Sequence, residues 1–125
     1  MIRSACLLAI AMMCLAARGF ADERTYTVQT VAGNGTQGDL PAGGSALASP
    51  VAMPFGVEPG PDGGLYITSI GQHRVLRLDR TSNQLTSVAG NGTKGYSGDG
   101  ASADQAALNE PYEVRFDAAG NMYFV

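Results

Sequence analysis

Short runs of apolar and β-forming residues, separated by turn sequences, recur along the chain after residue 24. They occupy residues 25–32 (TYTVQTVA), 54–58 (PFGVE), 65–70 (LYITSI), 74–79 (RVLRLD) and 84–89 (QLTSVA). Residues 25–32 alternate between apolar and polar, and runs of four to eight such residues are typical of β-strands. The connections at 61–64 and 80–83 are rich in Pro, Asp, Asn, Gly and Ser, which favour tight turns. The pattern predicts short antiparallel strands, with only a weak helical period over 101–108.

The pattern repeats with an offset of 57 residues. The sequence VAGNGT occurs at 31–36 and again at 88–93, and the same register then continues without a gap. It aligns Pro54 with Pro111, Val57 with Val114, and Tyr66 with Tyr123. We therefore divide the chain into repeat units of about 31–87 and 88–125. A repeat of four short strands is typical of the blades of a β-propeller.

The second unit, VAGNGTKGYSGDGASADQAALNEPYEVRFDAAGNMYFV, resembles the long-loop NHL repeat found in the extracellular propellers of teneurin-like proteins, and so does 31–78. Gln72 and Ser69 stand where that family usually has Asn and Asp. The resemblance implies an all-β, NHL-type β-propeller segment. It would comprise an outer strand at 25–32, one full four-stranded blade at 54–89, and the first half of the next blade at 111–125.

The resemblance also implies a ring of about six blades. We therefore expect residues 22–125 to be an N-terminal fragment of a longer propeller, with the strand at 25–32 closing the ring. Since blades bury their faces against neighbours, such a fragment should be poorly soluble or should associate. The alternative is that several copies of the chain assemble to close one ring.

The N-terminus has the order of a secretory signal peptide. Arg3 precedes an uncharged run at 5–17, and the small residues Gly19 and Ala21 follow. The run is shorter than the roughly 18 to 20 apolar residues that span a bilayer, although an uncleaved anchor is an alternative. We predict a signal peptide at 1–21, with no membrane insertion after cleavage, and a secreted, extracellular or periplasmic protein. Both cysteines, Cys6 and Cys14, lie in this segment, so the mature chain would rely on packing alone.

Charge excludes one class of partner. The 125 residues carry a net charge of −3, and removing Arg3 and Arg18 with the signal peptide leaves six basic against eleven acidic residues, a net charge of −5. Binding to nucleic acid through phosphates needs clustered Lys and Arg. We therefore predict no nucleic-acid partner.

Few residues carry candidate chemistry. His73 and Arg74 begin a hairpin, while Glu58 and Glu113 follow the first strand of each unit, and these four are candidate binding residues. A packed or capping role is the alternative for His73. Asp99, in the SGDG turn at 97–100, could offer a carboxylate to Ca²⁺, but such sites need six to eight oxygens. A zinc site needs three or four ligands, and residues 22–125 hold one His and no Cys.

Two Asn-Gly-Thr sequences have two interpretations. Asn34 and Asn91 match the glycosylation acceptor of eukaryotic secretion. Each also forms an Asn-Gly dipeptide, which favours a tight turn, and its recurrence in both units favours the turn.

The function expected from sequence is a secreted binding or scaffold module for an extracellular protein, peptide or glycan. The alternative is a propeller enzyme, a lactonase-like hydrolase or a lyase, whose central metal site is completed by residues outside this chain. We predict no catalytic residue and no cofactor, with Ca²⁺ or Zn²⁺ possible only with further blades. Those blades, or other copies of the chain, are the expected structural partners.

Overall fold

The computed structural model describes residues 25–41 and 43–125. The predicted signal peptide lies outside these residues. The described chain is all-β, as predicted, with antiparallel sheets and two 3₁₀ turns, Ile70–Gln72 and Ala103–Gln105. Its strands are β1 (Gly44–Ser45), β2 (Pro54–Pro59), β3 (Leu65–Ser69), β4 (Arg74–Asp79), β5 (Gln84–Ala89), β6 (Val114–Phe116) and β7 (Met122–Phe124). In this part of the chain no helix is long and apolar enough to cross a membrane.

Strands β2 to β5 form a meander, in which each strand pairs with the next along the chain. The sheet order is β1-β5-β4-β3-β2, and every pairing is antiparallel. Successive side chains in a strand point to opposite faces. Leu76 lies opposite Ile67, and Leu78 lies opposite Leu85, so these four share one face. They form a buried cluster with Ala46, against which parts of the 32–51 segment pack.

The opposite face of the sheet is also apolar, and the second unit covers it. Val75 and Ala89 are fully buried there together with Val114 of β6. The β6–β7 hairpin is a separate two-stranded sheet. The rings of Tyr66 and Phe116 meet edge to face, with centroids 4.7 Å apart. The two units are thus joined through a shared core as well as through the chain.

The strand predicted at 25–32 is wrong. This segment has no strand structure, and the side chains of Tyr26 and Val28 are 81% and 102% exposed. A strand depends on a partner for its backbone hydrogen bonds. The first residues of β5, Gln84 and Leu85, pair with β1. Local alternation indicated a strand here but could not supply the neighbour that a strand requires.

Two smaller predictions change at their ends. The run at 65–70 ends as a strand at Ser69, because Ile70 begins a 3₁₀ turn that His73 closes in the left-handed conformation. The weak helical period at 101–108 produces only the 3₁₀ turn Ala103–Gln105.

The backbone follows the 57-residue register in three dimensions. Of the nine glycines with positive φ among the described residues, eight occur in matched pairs: 33 and 90, 35 and 92, 43 and 100, 63 and 120. Met53 and Glu110, also 57 residues apart, both adopt positive φ although neither is glycine. The N–H of Gly33 donates to Ala46 and that of Gly90 to Ala103, each at 2.9 Å. The two long loops therefore share their backbone conformation at these matched positions.

A carboxylate fixes the turn between β4 and β5. One oxygen of Asp79 accepts hydrogen bonds from the N–H groups of Thr81, at 2.9 Å, and Ser82, at 3.0 Å. These bonds favour the ionised form. They lower the pKa of Asp79 from 3.8 to about 2.

We expect this turn to make stability acid-sensitive. Because the pKa of Asp79 is lower in the folded than in the unfolded chain, its contribution is complete above about pH 5 and is lost as the pH falls toward 2. Asp79→Asn keeps an acceptor oxygen but cannot ionise. Urea midpoints measured from about pH 7 to pH 2 should therefore fall less steeply for this variant. Superimposable pH profiles for the two proteins would contradict this account.

Candidate binding face

Strands β2 and β6 occupy equivalent positions in the two units and approach each other closely. A Cβ atom at Gly56 would lie 2.7 Å from the carbonyl oxygen of Tyr112 and 3.2 Å from the Cα of Glu113. The Thr68 hydroxyl bridges the strands, since it donates to Tyr112 O at 2.6 Å and accepts from Gly56 N at 2.7 Å. Gly56 is thus required by close backbone approach.

This approach brings two aromatic rings together. Phe55 and Tyr112 occupy equivalent positions in the two units, and their centroids are 4.7 Å apart at an interplanar angle of 69°. Such edge-to-face geometry is favourable for aromatic pairs. Phe55 is 60% exposed and Tyr112 45% exposed. The pair therefore presents apolar ring surface to solvent.

The same strands bring charged groups together. Arg115 Nη1 lies 3.6 Å from a carboxylate oxygen of Glu58, and its Nη2 lies 3.2 Å from one of Glu113. All three side chains are at least one-third exposed, so these ion pairs contribute little to stability. We call the surface formed by Phe55, Glu58, Tyr112, Glu113 and Arg115 the β2–β6 face.

His73 is a hydrogen-bond acceptor between the two units. Its Nδ1 accepts the N–H of Glu110 at 3.2 Å, which requires that this nitrogen carry no proton. Glu110 is held further by Lys94, whose ammonium lies 2.6 Å from its carboxylate and keeps the pKa of Glu110 below its ordinary value. His73 therefore positions the backbone just before β6.

Arg74 spans the same junction. Its Nη1 donates to the carbonyl oxygen of Gly90 at 2.9 Å, and its Nη2 donates to that of Asn91 at 2.7 Å. The planar guanidinium can serve two acceptors at once. Of the four candidate binding residues, Glu58 and Glu113 thus share the β2–β6 face, while His73 and Arg74 join the first sheet to the second loop.

The side chains of Asn34 and Asn91 close their own turns. Asn34 accepts the N–H of Thr36 at 2.9 Å, and its amide donates to Ala48 O at 2.8 Å. Asn91 makes the corresponding bonds to Thr93 N, at 2.8 Å, and Gln105 O, at 3.0 Å. Both side chains thus have a structural role, and glycosylation stays a prediction.

Asp99 lies in an exposed turn, where its carboxylate accepts the hydroxyl of Tyr96 at 3.2 Å. Within residues 25–41 and 43–125, no three His, Cys, Asp or Glu residues are grouped as metal ligands.

Sequence reasoning missed Phe55, Tyr112 and Arg115 as members of one surface. The 57-residue register did align Phe55 with Tyr112. It could have indicated that aromatic residues occupy equivalent positions in both units. Nothing in the sequence indicated that Arg115 lies between Glu58 and Glu113, because that depends on how closely β2 and β6 approach.

Comparison with known proteins supports the fold only. No known protein family and no protein of curated function matches the chain. A crystal structure of a structural genomics protein of unknown function from Bacteroides thetaiotaomicron VPI-5482 is similar over 74% of this chain, with a TM-score of 0.64 and 23% identity. The chain corresponds to 23% of that protein's length.

We expect Gly56→Ala to disrupt the contact between β2 and β6. The added methyl group would meet backbone, which cannot move aside as a side chain can, and overpacking of this kind costs about 1–3 kcal/mol. Unfolding by urea would measure this loss. Gly38→Ala is the matched control, because its Cβ would only touch Pro50 at 3.9 Å, and it should change stability by less than about 0.5 kcal/mol. If Gly56→Ala and Gly38→Ala reduced stability equally, the close approach of β2 and β6 would be contradicted.

We expect Arg74→Ala to loosen the second loop. It removes charged donors from the carbonyls of Gly90 and Asn91 and should cost about 2 kcal/mol. Hydrogen exchange at Thr93, whose N–H bonds to Asn91, should become faster. Arg80→Ala, at an exposed position in a turn, is the control and should change neither quantity measurably. Unchanged exchange at Thr93 in Arg74→Ala would show that the guanidinium does not hold this loop.

Proposed function

We propose that the chain is a segment of an exported β-propeller of the NHL-repeat type that acts as a binding or scaffold module. The observation that supports this most is the placement of the two units. The equivalent strands β2 and β6 lie against each other at Gly56, and each is followed by antiparallel strands of its own unit. This is the arrangement expected of the innermost strands of adjacent propeller blades.

In such a ring the β2–β6 face would form part of the central face, where propellers commonly bind ligands. Exposed aromatic rings beside charged groups suit a peptide or a glycan, because rings provide apolar contact and the charges provide hydrogen bonds. Arg115 pairs with both Glu58 and Glu113. Carboxylates already paired with a cation favour binding over general-base catalysis. The proposed ligand is therefore a peptide segment of an extracellular protein, or a glycan.

The test is binding of the fluorescently labelled full chain to a glycan array and to a peptide array. We expect a defined class of binders on one of them, with binding weakened about tenfold or more by Tyr112→Ala and by Arg115→Gln. Tyr96→Ala is the matched control, since Tyr96 is 87% exposed and lies away from this face, in the 90–110 loop. Absence of binders on both arrays, or equal loss with Tyr96→Ala, would contradict the proposal.

A further inference from the structure

Two equivalent valines have opposite environments. Val57 in β2 and Val114 in β6 are 57 residues apart, yet Val57 is 59% exposed and Val114 is fully buried. The prolines that precede them differ in the same way, since Pro54 is exposed and Pro111 is buried. The residue types at these two positions are the same in both units. The difference must therefore come from what lies against each unit.

The first unit covers the second with one hairpin, β3-turn-β4. From this hairpin Val75 packs against Val114, and Thr68 donates to Tyr112 O. His73 accepts from the N–H of Glu110, and Arg74 donates to two carbonyls of the second loop. The pattern that makes these contacts is Thr-x₄-His-Arg-Val, at residues 68–75.

The corresponding surface of the first unit is an open groove of about 660 Å³. It is lined by residues 30–35, 54–57, Val51 and Ile67. Moved by 57 residues, these positions become 87–92, 111–114, Leu108 and Phe124, which include the acceptors and apolar residues that the hairpin contacts. The groove thus repeats a surface whose occupant is known within the same chain.

Glycines in the two loops show what shape the groove accepts. A Cβ at Gly92 would lie 2.6 Å from Nη2 of Arg74, and one at Gly90 would collide with the carbonyl oxygen of His73. At the equivalent Gly35, a Cβ would meet nothing within 4 Å. The first loop therefore keeps clear the space that an arginine takes in the second.

We propose that this groove binds a β-hairpin of the same repeat type, carrying the pattern Thr-x₄-His-Arg-Val and belonging to a repeat unit other than the two described. Its arginine donates to the carbonyls of Gly33 and Asn34, its histidine accepts the N–H of Met53, and its valine covers Val57. The 68–75 segment of a second copy does not fit this role, because its own second loop already engages it. The inference rests on the proposed propeller and names the partner of one of its faces.

The probe is a cyclic peptide of residues 65–78, closed through an Asn-Gly turn. Leu65 and Leu78 are cross-strand partners, so closure there holds the strands in register. It is titrated into the full chain, and amide chemical shifts are followed by NMR. We expect a Kd below about 1 mM, with shift changes at 30–35 and 54–57. A peptide carrying Arg74→Ala should bind about tenfold more weakly, because two charge-assisted bonds are lost.

Matched glycine variants of the chain test the site itself. Gly35→Ala should weaken binding about tenfold or more by blocking the arginine. Gly43→Ala should bind like the parent, although it bears a similar strain, with φ of +68° against +78°. No binding, binding that is insensitive to Gly35→Ala, or shift changes confined to other residues would overturn the proposal. If the hairpin does not bind but array binding that depends on Tyr112 is retained, the proposed function survives without this groove. If the hairpin binds but no array binder is found, the groove proposal survives and the proposed function is contradicted.

Discussion

The carbonyl oxygens of the Gly90–Asn91 turn are the acceptors on which the junction of the two units depends. Gly90 and Gly92 adopt positive φ in this turn. Arg74, in the preceding sheet, donates to the carbonyl oxygens of Gly90 and Asn91. Hydrogen bonds from a charged donor are worth about 1.5–3 kcal/mol each. The guanidinium of Arg74 therefore contributes directly to the packing of the second loop on the first sheet. His73, its neighbour in sequence, fixes the end of the same loop at Glu110.

Because these contacts join consecutive units, part of the second unit's core is supplied by the first. Val114 is fully buried against Val75 of β4 as well as against residues of its own unit, whereas Val57 is 59% exposed. The free energy of such a structure is approximately a sum of terms within units and between adjacent units. Polar bonds set the register between units, and apolar burial provides most of the stabilisation.

Local signals were sufficient to predict most of the fold. Short runs of apolar and β-forming residues predicted β2 to β5, and the Asp79 turn and the Asn-Gly turns lie where turn residues are concentrated. The strand predicted at 25–32 failed because pairing requires a neighbour, and β1 formed at Gly44–Ser45 although neither residue favours strands, since β5 supplies its partner. To predict the β2–β6 face, the distance between the two units would have had to be known. The registers of strands within a unit are encoded nearby in sequence, while a surface shared by two units is not.

The first loop has a glycine at the position where the second loop has a steric reason for one. Positive φ alone would tolerate Asn at Gly35, as it tolerates Asn83 in the β4–β5 turn. At Gly92 the added requirement is the guanidinium of Arg74, which leaves no room for a Cβ. Gly35 sits in the same AGNGT sequence with nothing within 4 Å. A glycine there is required sterically only when a donor approaches the Gly33 and Asn34 carbonyls as Arg74 approaches those of Gly90 and Asn91.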